Sequence, residues 1–462
     1  MVRIFRHYVS PVKLMLAITD FSVVAGAAFM AEWMRYSWLD IEISGSWETL
    51  IAKILVPMFF IPILLGMGGY QSDAIRDVRV FFVRLFAAVI ATSVALAAFH
   101  YLLPMLPLWR SILVLTMLLS GGLLMLVHVA FQALADNRFL SRRVLILGAG
   151  EEALEIENYA GKATEAGLNI ICAVEVPGQN VVAKSAVSLS DMDTLDAYAI
   201  ANQVELIIVA PDDLQSLPIE ALIACKLSGI EIKDRLSFFE QVRGYVGLSS
   251  VQSEWIIFSD GFKGGNGFER ASKRVLDIII SLVLLVAATP IMLLAAIAVR
   301  LTSFGPVLYR QERVGIFGKP FNLLKFRSMK SDAEKKGAPE WAKVDDPRLT
   351  LVGGFLRRTR IDELPQIVNV LRGHMSFVGP RPERPYFVDK LEAEIPFYRE
   401  RHCLKPGITG WAQIQYPYGA SFEDSKRKLE YDLYYIKNYS IFLDILIILQ
   451  TVRVVLFPIG VR

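Results

Sequence analysis

Four apolar segments fill the chain before residue 136: Leu14 to Met34, Ile51 to Tyr70, Val80 to Leu103 and Ser111 to Ala135. Each is about 20 residues or longer, roughly what a helix needs to cross a hydrocarbon layer about 30 Å thick. Composition agrees, since 54% of the 462 residues are hydrophobic and only 21% are charged, too apolar a balance for an ordinary cytosolic protein. This part of the chain belongs in lipid. The few polar residues inside the segments, such as Asp20 and His128, are expected to face neighbouring helices. Arg3, Arg6 and Lys13, then Arg76, Arg79 and Arg84, then Arg138, Arg142 and Arg143 form three cationic flanks, whereas the alternate connections hold Asp40, Glu42 and Glu48, or a lone Arg110. Cationic loops stay in the cytoplasm, so both ends of a four-helix transmembrane unit, residues 1–138, are expected there. No small-residue cleavage site closely follows the first segment, which reads as an uncleaved anchor.

A net charge of +3, without a basic run interleaved with aromatics, sets nucleic acid aside as a partner. Cys172, Cys225 and Cys403 are scattered and show no paired spacing, so they read as buried thiols rather than a disulfide framework or a zinc site.

The stretch RRVLILGAGEEALEI, Arg142 to Ile156, is a short apolar strand, a tight glycine turn and a helix pattern. Gly148, Gly150 and Ala153 satisfy G-x-G-x-x-A, and apolar runs at Asn169 to Val174 and Glu205 to Val209 supply further parallel strands, so an α/β Rossmann-like domain is expected over 140–245. Glu175 stands near the place where an acid would meet a ribose. The same glycine turn serves helix–strand packing, so a dinucleotide-binding domain and a ligand-free regulatory or packing domain both remain open. Residues 246–270, with the glycine-rich Gly261 to Gly267, read as a linker.

Val275 to Val299 is a fifth apolar run, flanked by Lys273, Arg274 and Arg300, with Pro290 near its middle. Cations on both sides favour both ends on the cytoplasmic face. The proline bends a helix, and the Thr289 hydroxyl helps satisfy the freed carbonyls. A re-entrant helix hairpin over 275–299 is the expectation, a kinked span the alternative.

Beyond residue 300 the chemistry changes. Arg310, Arg313, Lys319, Lys325 and Arg327 stand among glycines and aromatics; each singly suits a solvated strand face, but together they suit a pocket for a polyanion, because guanidinium forks match phosphate oxygens. Asp345 to Thr350 adds an acidic turn and Arg348. In RIDELPQIVNVLRGHMSFVGPRPERP, Arg360 to Pro385, the residues Leu364, Ile367, Val368 and Leu371 share one helical face, so a helix is expected from near Asp362 with Pro365 in its first turn. Taken alone, Asp362 would be a helix cap beside a neighbouring acid. Its company changes that: Arg357, Arg358 and Arg360 precede the pair, and Arg381, Pro382 and Arg384 follow on a proline-stiffened loop. A carboxylate among fixed cations stays ionised and nucleophilic, and its neighbour is free to hold Mg²⁺, which favours carboxylate and phosphate oxygens.

In order, KRVLDIIIS, the apolar run with its proline, LYRQERVG, FNLLKFRSM, RIDELPQIVNVL, MSFVGPRPERP and LKPGITGWAQI resemble the bacterial sugar transferase family, the polyprenyl-phosphate glycosyl-1-phosphate transferases of monotopic type. The resemblance covers about residues 268–462. It implies an α-rich, α+β catalytic domain, 271–462, carrying the re-entrant membrane helix. With the four-helix unit and the Rossmann-like domain, the chain is similar to large members that initiate exopolysaccharide synthesis, including those associated with exosortase systems. The reaction implied passes a sugar 1-phosphate from a nucleotide diphosphate sugar, with a UDP-hexose expected, to undecaprenyl phosphate, releasing UMP and starting an exopolysaccharide or lipopolysaccharide repeat unit. The resemblance assigns Asp362 as the residue that carries the phosphosugar ester and Glu363 as a Mg²⁺ holder. Arg381 and Pro382 would contact donor phosphates or nucleotide, and Lys273 and Arg274 would face the prenyl phosphate. It further implies the bacterial inner membrane as location, a cytoplasmic catalytic side, contact with membrane lipid, and a second copy or polysaccharide assembly machinery as partners. Thr289 departs from the serine many members place before the proline, but threonine makes the same backbone bond. The apolar run Ile441 to Phe457 is interrupted by Asp444, Gln450 and Arg453 and reads as an interfacial or packed helix.

Two other classes compete. A membrane-anchored NAD-dependent nucleotide-sugar dehydratase or epimerase needs a catalytic Tyr-x-x-x-Lys; Tyr386 and Lys390 have that spacing but follow Gly150 by some 230 residues. A non-enzymatic assembly scaffold would not need the dyad, the arginines and the proline loop that this chain keeps.

Overall fold

The computed structural model describes residues 2–4, 7–40, 46–102, 104, 109–135, 142–162, 168–176, 180–211, 217–248, 256–257, 259, 261–262, 266–329, 348–417, 419 and 421–456. Asp345 and Asp346, Glu42, Arg6, Arg138 and Phe457 lie outside them. The chain divides into two compact units that meet in sequence at Gly244 and Tyr245; small N-terminal pieces, Arg3–His7 and Leu65–Gly68, belong with the second.

Two short strands, β1 (Val2–Ile4) and β2 (His7–Val9), precede the apolar helices α1 (Pro11–Leu39), α2 (Trp47–Gly66), α4 (Val78–Leu102) and α5 (Arg110–Ala135), with the single-turn α3 (Ser72–Arg76) between α2 and α4. Their outward faces are apolar, as at Ile18, Met58, Phe86 and Leu118. Polar groups turn inward and find partners: buried Asp20 accepts from the Tyr70 hydroxyl at 2.9 Å and lies 3.1 Å from His128 Nε2, while His128 stacks on Phe81 with ring centres 3.6 Å apart. Away from water a carboxylate keeps its place only when paired in this way. Among the described residues five helices are long and apolar enough to cross a membrane, these four and the later Gly267–Thr302. The protein is membrane-anchored.

The first unit continues into a parallel five-stranded sheet. Its strands are β3 (Arg142–Leu147), β4 (Leu168–Glu175), β5 (Ala186–Ser188), β6 (Leu206–Val209) and β7 (Glu231–Asp234), in spatial order β5-β4-β3-β6-β7. Because neighbouring side chains on a strand point to opposite faces, the sheet has two cores. Val144, Ile146, Ala173, Leu206 and Ile208 pack with Ala153 and Ile156 of α6 (Glu151–Lys162) and with Phe238 and Phe239 of α9 (Arg235–Arg243). Leu145, Leu147, Cys172, Val174 and Ile207 pack with Leu195 and Ala199 of α7 (Leu195–Ala201) and with Cys225 of α8 (Ile219–Leu227). Gly148 has φ of +124°, and a Cβ there would meet the Ala210 carbonyl oxygen at 2.2 Å, so no larger residue fits this turn.

The second unit opens on Tyr245, expected at the end of the preceding domain, and on Val246–Leu248, expected as linker but docked: the Val246 amide donates to the Glu430 carbonyl and the Leu248 amide to the Glu430 carboxylate, each at 3.1 Å. The apolar run is the continuous helix α10 (Gly267–Thr302), longer than the expected 275–299 and begun by a capping box of Asn266 and Glu269, a reciprocal pairing that satisfies the first free amides. Pro290 lies inside it, and the Thr289 hydroxyl donates to the Leu285 carbonyl. Next come the antiparallel hairpin β8 (Leu308–Val314) with β9 (Pro320–Phe326), then α11 (Leu351–Arg358), α12 (Gln366–Leu371), β10 (Ser376–Val378), α13 (Pro385–Glu394) and β11 (Gly407–Thr409), which pairs in parallel with β10. The short α14 (Trp411–Gln415) leads to α15 (Phe422–Lys437) and α16 (Ile441–Leu456), whose Leu443, Asp444 and Ile447 are buried. Both ends of α10 pack within this unit: Asp277 Oδ1 accepts from the Ser376 hydroxyl and the Phe377 amide, and Ala295 and Val299 share a core with Phe326 and Leu356.

Candidate active site

The acid pair does not cap a helix, which corrects the expected start near Asp362. Arg360 adopts a left-handed conformation, φ of +59°, and ends the preceding helical segment. Ile361–Glu363 form a 3-10 turn, and α12 starts only at Gln366, after Pro365. A non-glycine residue held at positive φ carries strain of order 1–3 kcal/mol, tolerated where the surroundings fix it, commonly at functional sites. The buried side of α12 also differs from the expected stripe. Ile367 and Val370 are buried, but so are Gln366 and Asn369, while Leu364, Val368 and Leu371 are half-buried. Asn369 ties the turn to the hairpin, its Oδ1 accepting from the Leu324 amide at 2.9 Å and its Nδ2 donating to the Asn322 carbonyl at 2.8 Å.

The two carboxyls occupy opposite environments. Glu363 Oε1 lies 3.1 Å from Lys325 Nζ, 3.3 Å from an Arg381 nitrogen and 3.7 Å from an Arg360 nitrogen. Burial by itself would raise its pKa, but the charges of Lys325, Arg381 and Arg360 outweigh that and hold the carboxyl far below the ordinary range. Asp362, only 6% exposed, moves the other way: burial and then the negative charge of Glu363 push it up, against the pull of Lys325, Arg357 and Arg360. The expectation that cations dominate at Asp362 is therefore corrected, because they sit on its neighbour. Two acids whose environments drive them apart have separable roles.

Beside the pair is a cleft whose lining includes Arg313, Lys325, Gln366, Arg381, Pro382 and Gly407. Arg313 does not point an open fork into it. One of its nitrogens donates to the Pro382 carbonyl at 3.0 Å and lies 3.4 Å from Glu383, and the other donates to Gln311 at 2.7 Å. It therefore fixes the proline loop that carries Arg381.

The profile of the family described as bacterial sugar transferase matches residues 268–458. The chain is 42% identical over 182 residues to a UDP-glucose:undecaprenyl-phosphate glucose-1-phosphate transferase of Caulobacter vibrioides, covering 39% of this chain and 68% of that one. The chain belongs to the bacterial sugar transferase family. A transferase of the same description from Xanthomonas campestris pv. campestris is 34% identical over 327 residues, 68% of this chain and 66% of its own length. That is longer than everything from Tyr245 onward, so the match reaches into the first unit. The UDP-N-acetylgalactosamine-undecaprenyl-phosphate N-acetylgalactosaminephosphotransferase of Aeromonas hydrophila is 47% identical over 190 residues, 41% of this chain. The chain spans 45% of that relative's length.

The fold brings together Asp362, Glu363, Lys325, Arg381 and Pro382, with Arg313 behind the loop. Several other residues expected at the substrate site are engaged elsewhere. Arg327 donates to the Ser303 and Phe304 carbonyls at 2.7 and 2.8 Å, latching the end of α10. Arg358 reaches the Gly354 carbonyl at 3.4 Å on the exposed side of α11, and Arg310 is exposed on β8. Arg384 precedes the first turn of α13. Lys273 Nζ lies 2.7 Å from Asp444, and Arg274 donates to the carbonyls of Val370 and Leu371 at 2.6 and 2.7 Å. In the first unit, Gly148, Gly150 and Ala153 form the expected turn, but the Ala149 carbonyl within it accepts from the amides of Val182 and Ala183 at 2.8 and 2.9 Å. Tyr386 and Lys390 stand side by side on α13 in the second unit, with the ammonium 4.4 Å from the ring centre. Residues not singled out from sequence include Asn369, Gln366 and the buried Arg401. Polar types at helix positions look like solvent-facing ones until the partner is known.

Lys325 is half-buried, and the loss of water around it lowers its pKa against the raising charge of Glu363. Lys325→Met is expected to cost about 10–100-fold in kcat/KM, the range of one charge-assisted hydrogen bond. Removing a cation disfavours ionised carboxylates, so the acid limb of the pH–rate profile should move to higher pH.

Proposed function

We propose that this transferase passes a sugar 1-phosphate from a UDP-sugar to undecaprenyl phosphate through an ester on Asp362, and so starts an exopolysaccharide or lipopolysaccharide repeat unit. The opposed environments of Asp362 and Glu363 carry this reading. Glu363, spread over three cations, is a weak base and a poor nucleophile, whereas Asp362 is the more basic carboxylate. An Asp362 oxygen attacks the sugar-bearing phosphorus, the bond from that phosphorus to the bridging oxygen breaks, and UMP leaves with the electron pair. A lipid phosphate oxygen then attacks the same phosphorus, and the carboxylate is released as the lipid diphosphate sugar forms. Arg381 and Lys325 stabilise charge on the phosphate oxygens as it develops.

Mg²⁺ fits this site. Glu363 Oε1 is engaged by the cations, which leaves its second oxygen as a hard donor of the kind Mg²⁺ takes alongside phosphate oxygens. Among the described residues no third acid or histidine joins them, so the donor's diphosphate would complete the shell. The metal would neutralise phosphate charge. Supporting the substrate assignment, relatives of known description use UDP-glucose or UDP-N-acetylgalactosamine with undecaprenyl phosphate. Release of UMP from a panel of UDP-sugars, with lipid phosphate and Mg²⁺ present, is the test; no release from any donor sinks the reading.

The same proposal places four helices across the bacterial inner membrane and the catalytic unit on the cytoplasmic side. Its supports are the cationic flanks and the docking of both ends of α10 within one polar unit, which favours a re-entrant helix over a span. A cysteine introduced near residue 330 should resist impermeant label added outside intact cells. The sheet order β5-β4-β3-β6-β7 supports a Rossmann-like domain.

A further inference from the structure

Near the start of α10, three cations meet two carboxylates. Lys273 is committed to Asp444 at 2.7 Å and lies 3.8 Å from Asp277. Asp277 is already held by the Ser376 hydroxyl and the Phe377 amide, each at 3.0 Å. Among the described residues Arg274 donates only to the neutral carbonyls of Val370 and Leu371, which position its guanidinium without cancelling its charge. Lys405 has no hydrogen bond or ion pair among the described residues, though it is half-buried. Burial first, then the charges of Arg274 and Lys273, lower its pKa against the pull of Asp277. Counting Lys273, Arg274 and Lys405 against Asp277 and Asp444 leaves one positive charge unbalanced.

That excess charge converges on one point. Gly373 has φ of +84°, and a Cβ built on it would lie 3.8 Å from Arg274 Nη2 and 3.8 Å from Lys405 Nζ, with nothing closer. An anion resting over Gly373 therefore meets both nitrogens. The apolar face of α10 begins one residue later, at exposed Val275, and continues through Ile279, Leu282, Val283 and Val286. Cations that stand where an apolar helix face begins lie at headgroup depth. Arg372 and His374, on either side of Gly373, are exposed and add no acid.

We propose that Arg274 and Lys405 form a lipid-phosphate site over Gly373, at the opposite end of α12 from the acid pair. The phosphate has two sources, the acceptor lipid of the proposed reaction or the headgroup of an anionic phospholipid; the first rests on the transferase reading and the second does not. Lys273, expected at the prenyl phosphate, is replaced in that role by Lys405, because its own charge is spent on Asp444.

The experiment uses the full chain in phosphatidylcholine nanodiscs, comparing wild type, Lys405→Gln and Lys405→Arg. Turnover is followed against polyprenyl phosphate at saturating donor, and retention of added phosphatidylglycerol is read by native mass spectrometry. Loss of one charge-assisted contact predicts about a tenfold rise in acceptor KM, or about a tenfold loss of phosphatidylglycerol retention, in Lys405→Gln. Lys405→Arg should restore it. A change in the first readout alone assigns the acceptor, and in the second alone the headgroup. Neither changing, or a matching rise in the donor KM, overturns the site. Wild-type protein that releases no UMP would count against the transferase reading and leave the phosphatidylglycerol arm to decide the site.

Discussion

Asp362→Asn should abolish turnover, by at least about a thousandfold, the scale on which loss of a covalent nucleophile is felt. The substitution keeps the size of a side chain that is only 6% exposed, so the 3-10 turn has no steric reason to move. Two measurements separate a nucleophile from a mere metal holder. Wild-type protein mixed with donor but no acceptor should release UMP in an amount stoichiometric with enzyme. The peptide containing Ile361 to Gln366 should then carry the added mass of a sugar phosphate. Both signals should vanish in Asp362→Asn, whereas a variant that lost only metal affinity would recover them as Mg²⁺ is raised. A normal burst in the Asn variant would remove Asp362 from the role.

Glu363→Gln should behave differently. Its negative charge is among the causes that raise Asp362, so removing it makes Asp362 ionise more readily. The acid limb should then move to lower pH, opposite to Lys325→Met, even as the rate falls through weakened metal support. Both shifts follow from charges that act on Asp362, the negative one of Glu363 and the positive one of Lys325. A Gln variant whose acid limb stays in place would break that link.

What could be read from the chain alone follows the range of the physics involved. The apolar helices were legible because their signal is local, one residue after another for about 20 positions. The acid pair and the proline loop were legible because charge and stiffness are written in the residue types. The strand order was not, since parallel pairing joins Arg142 to Leu168 and Val144 to Leu206 across intervening helices. Cations were the least transparent. Arg327 and Lys325 are two residues apart in FNLLKFRSM, yet one latches helix α10 and the other meets Glu363. Lys273 looks available in sequence because Asp444, 171 positions away, is invisible from it. Charge tells that a cation wants a partner, and only the fold names it.

Arg401 shows what this invisibility hides, and its replacement should have the second large effect. It is 6% exposed and donates to Asp432 at 2.7 Å, to the Tyr398 hydroxyl at 2.5 Å and to the Arg381 carbonyl at 3.1 Å. The last bond holds the backbone of the residue whose side chain meets Glu363. Arg401→Met strands Asp432, itself 1% exposed, and breaking one side of a buried pair costs about 3–5 kcal/mol. Detergent-solubilised variant should lose activity on mild heating at a rate at least about tenfold above wild type. The double change Arg401→Met with Asp432→Leu removes both charges, and swapping a whole buried pair for apolar groups is often close to neutral for stability. The double variant should therefore recover most of its heat resistance. Its kcat should still stay low, because the Arg381 carbonyl has lost its anchor in both variants. If kcat returns together with heat resistance, the pair only supports the fold, and positioning of Arg381 belongs to Arg313 and the prolines alone.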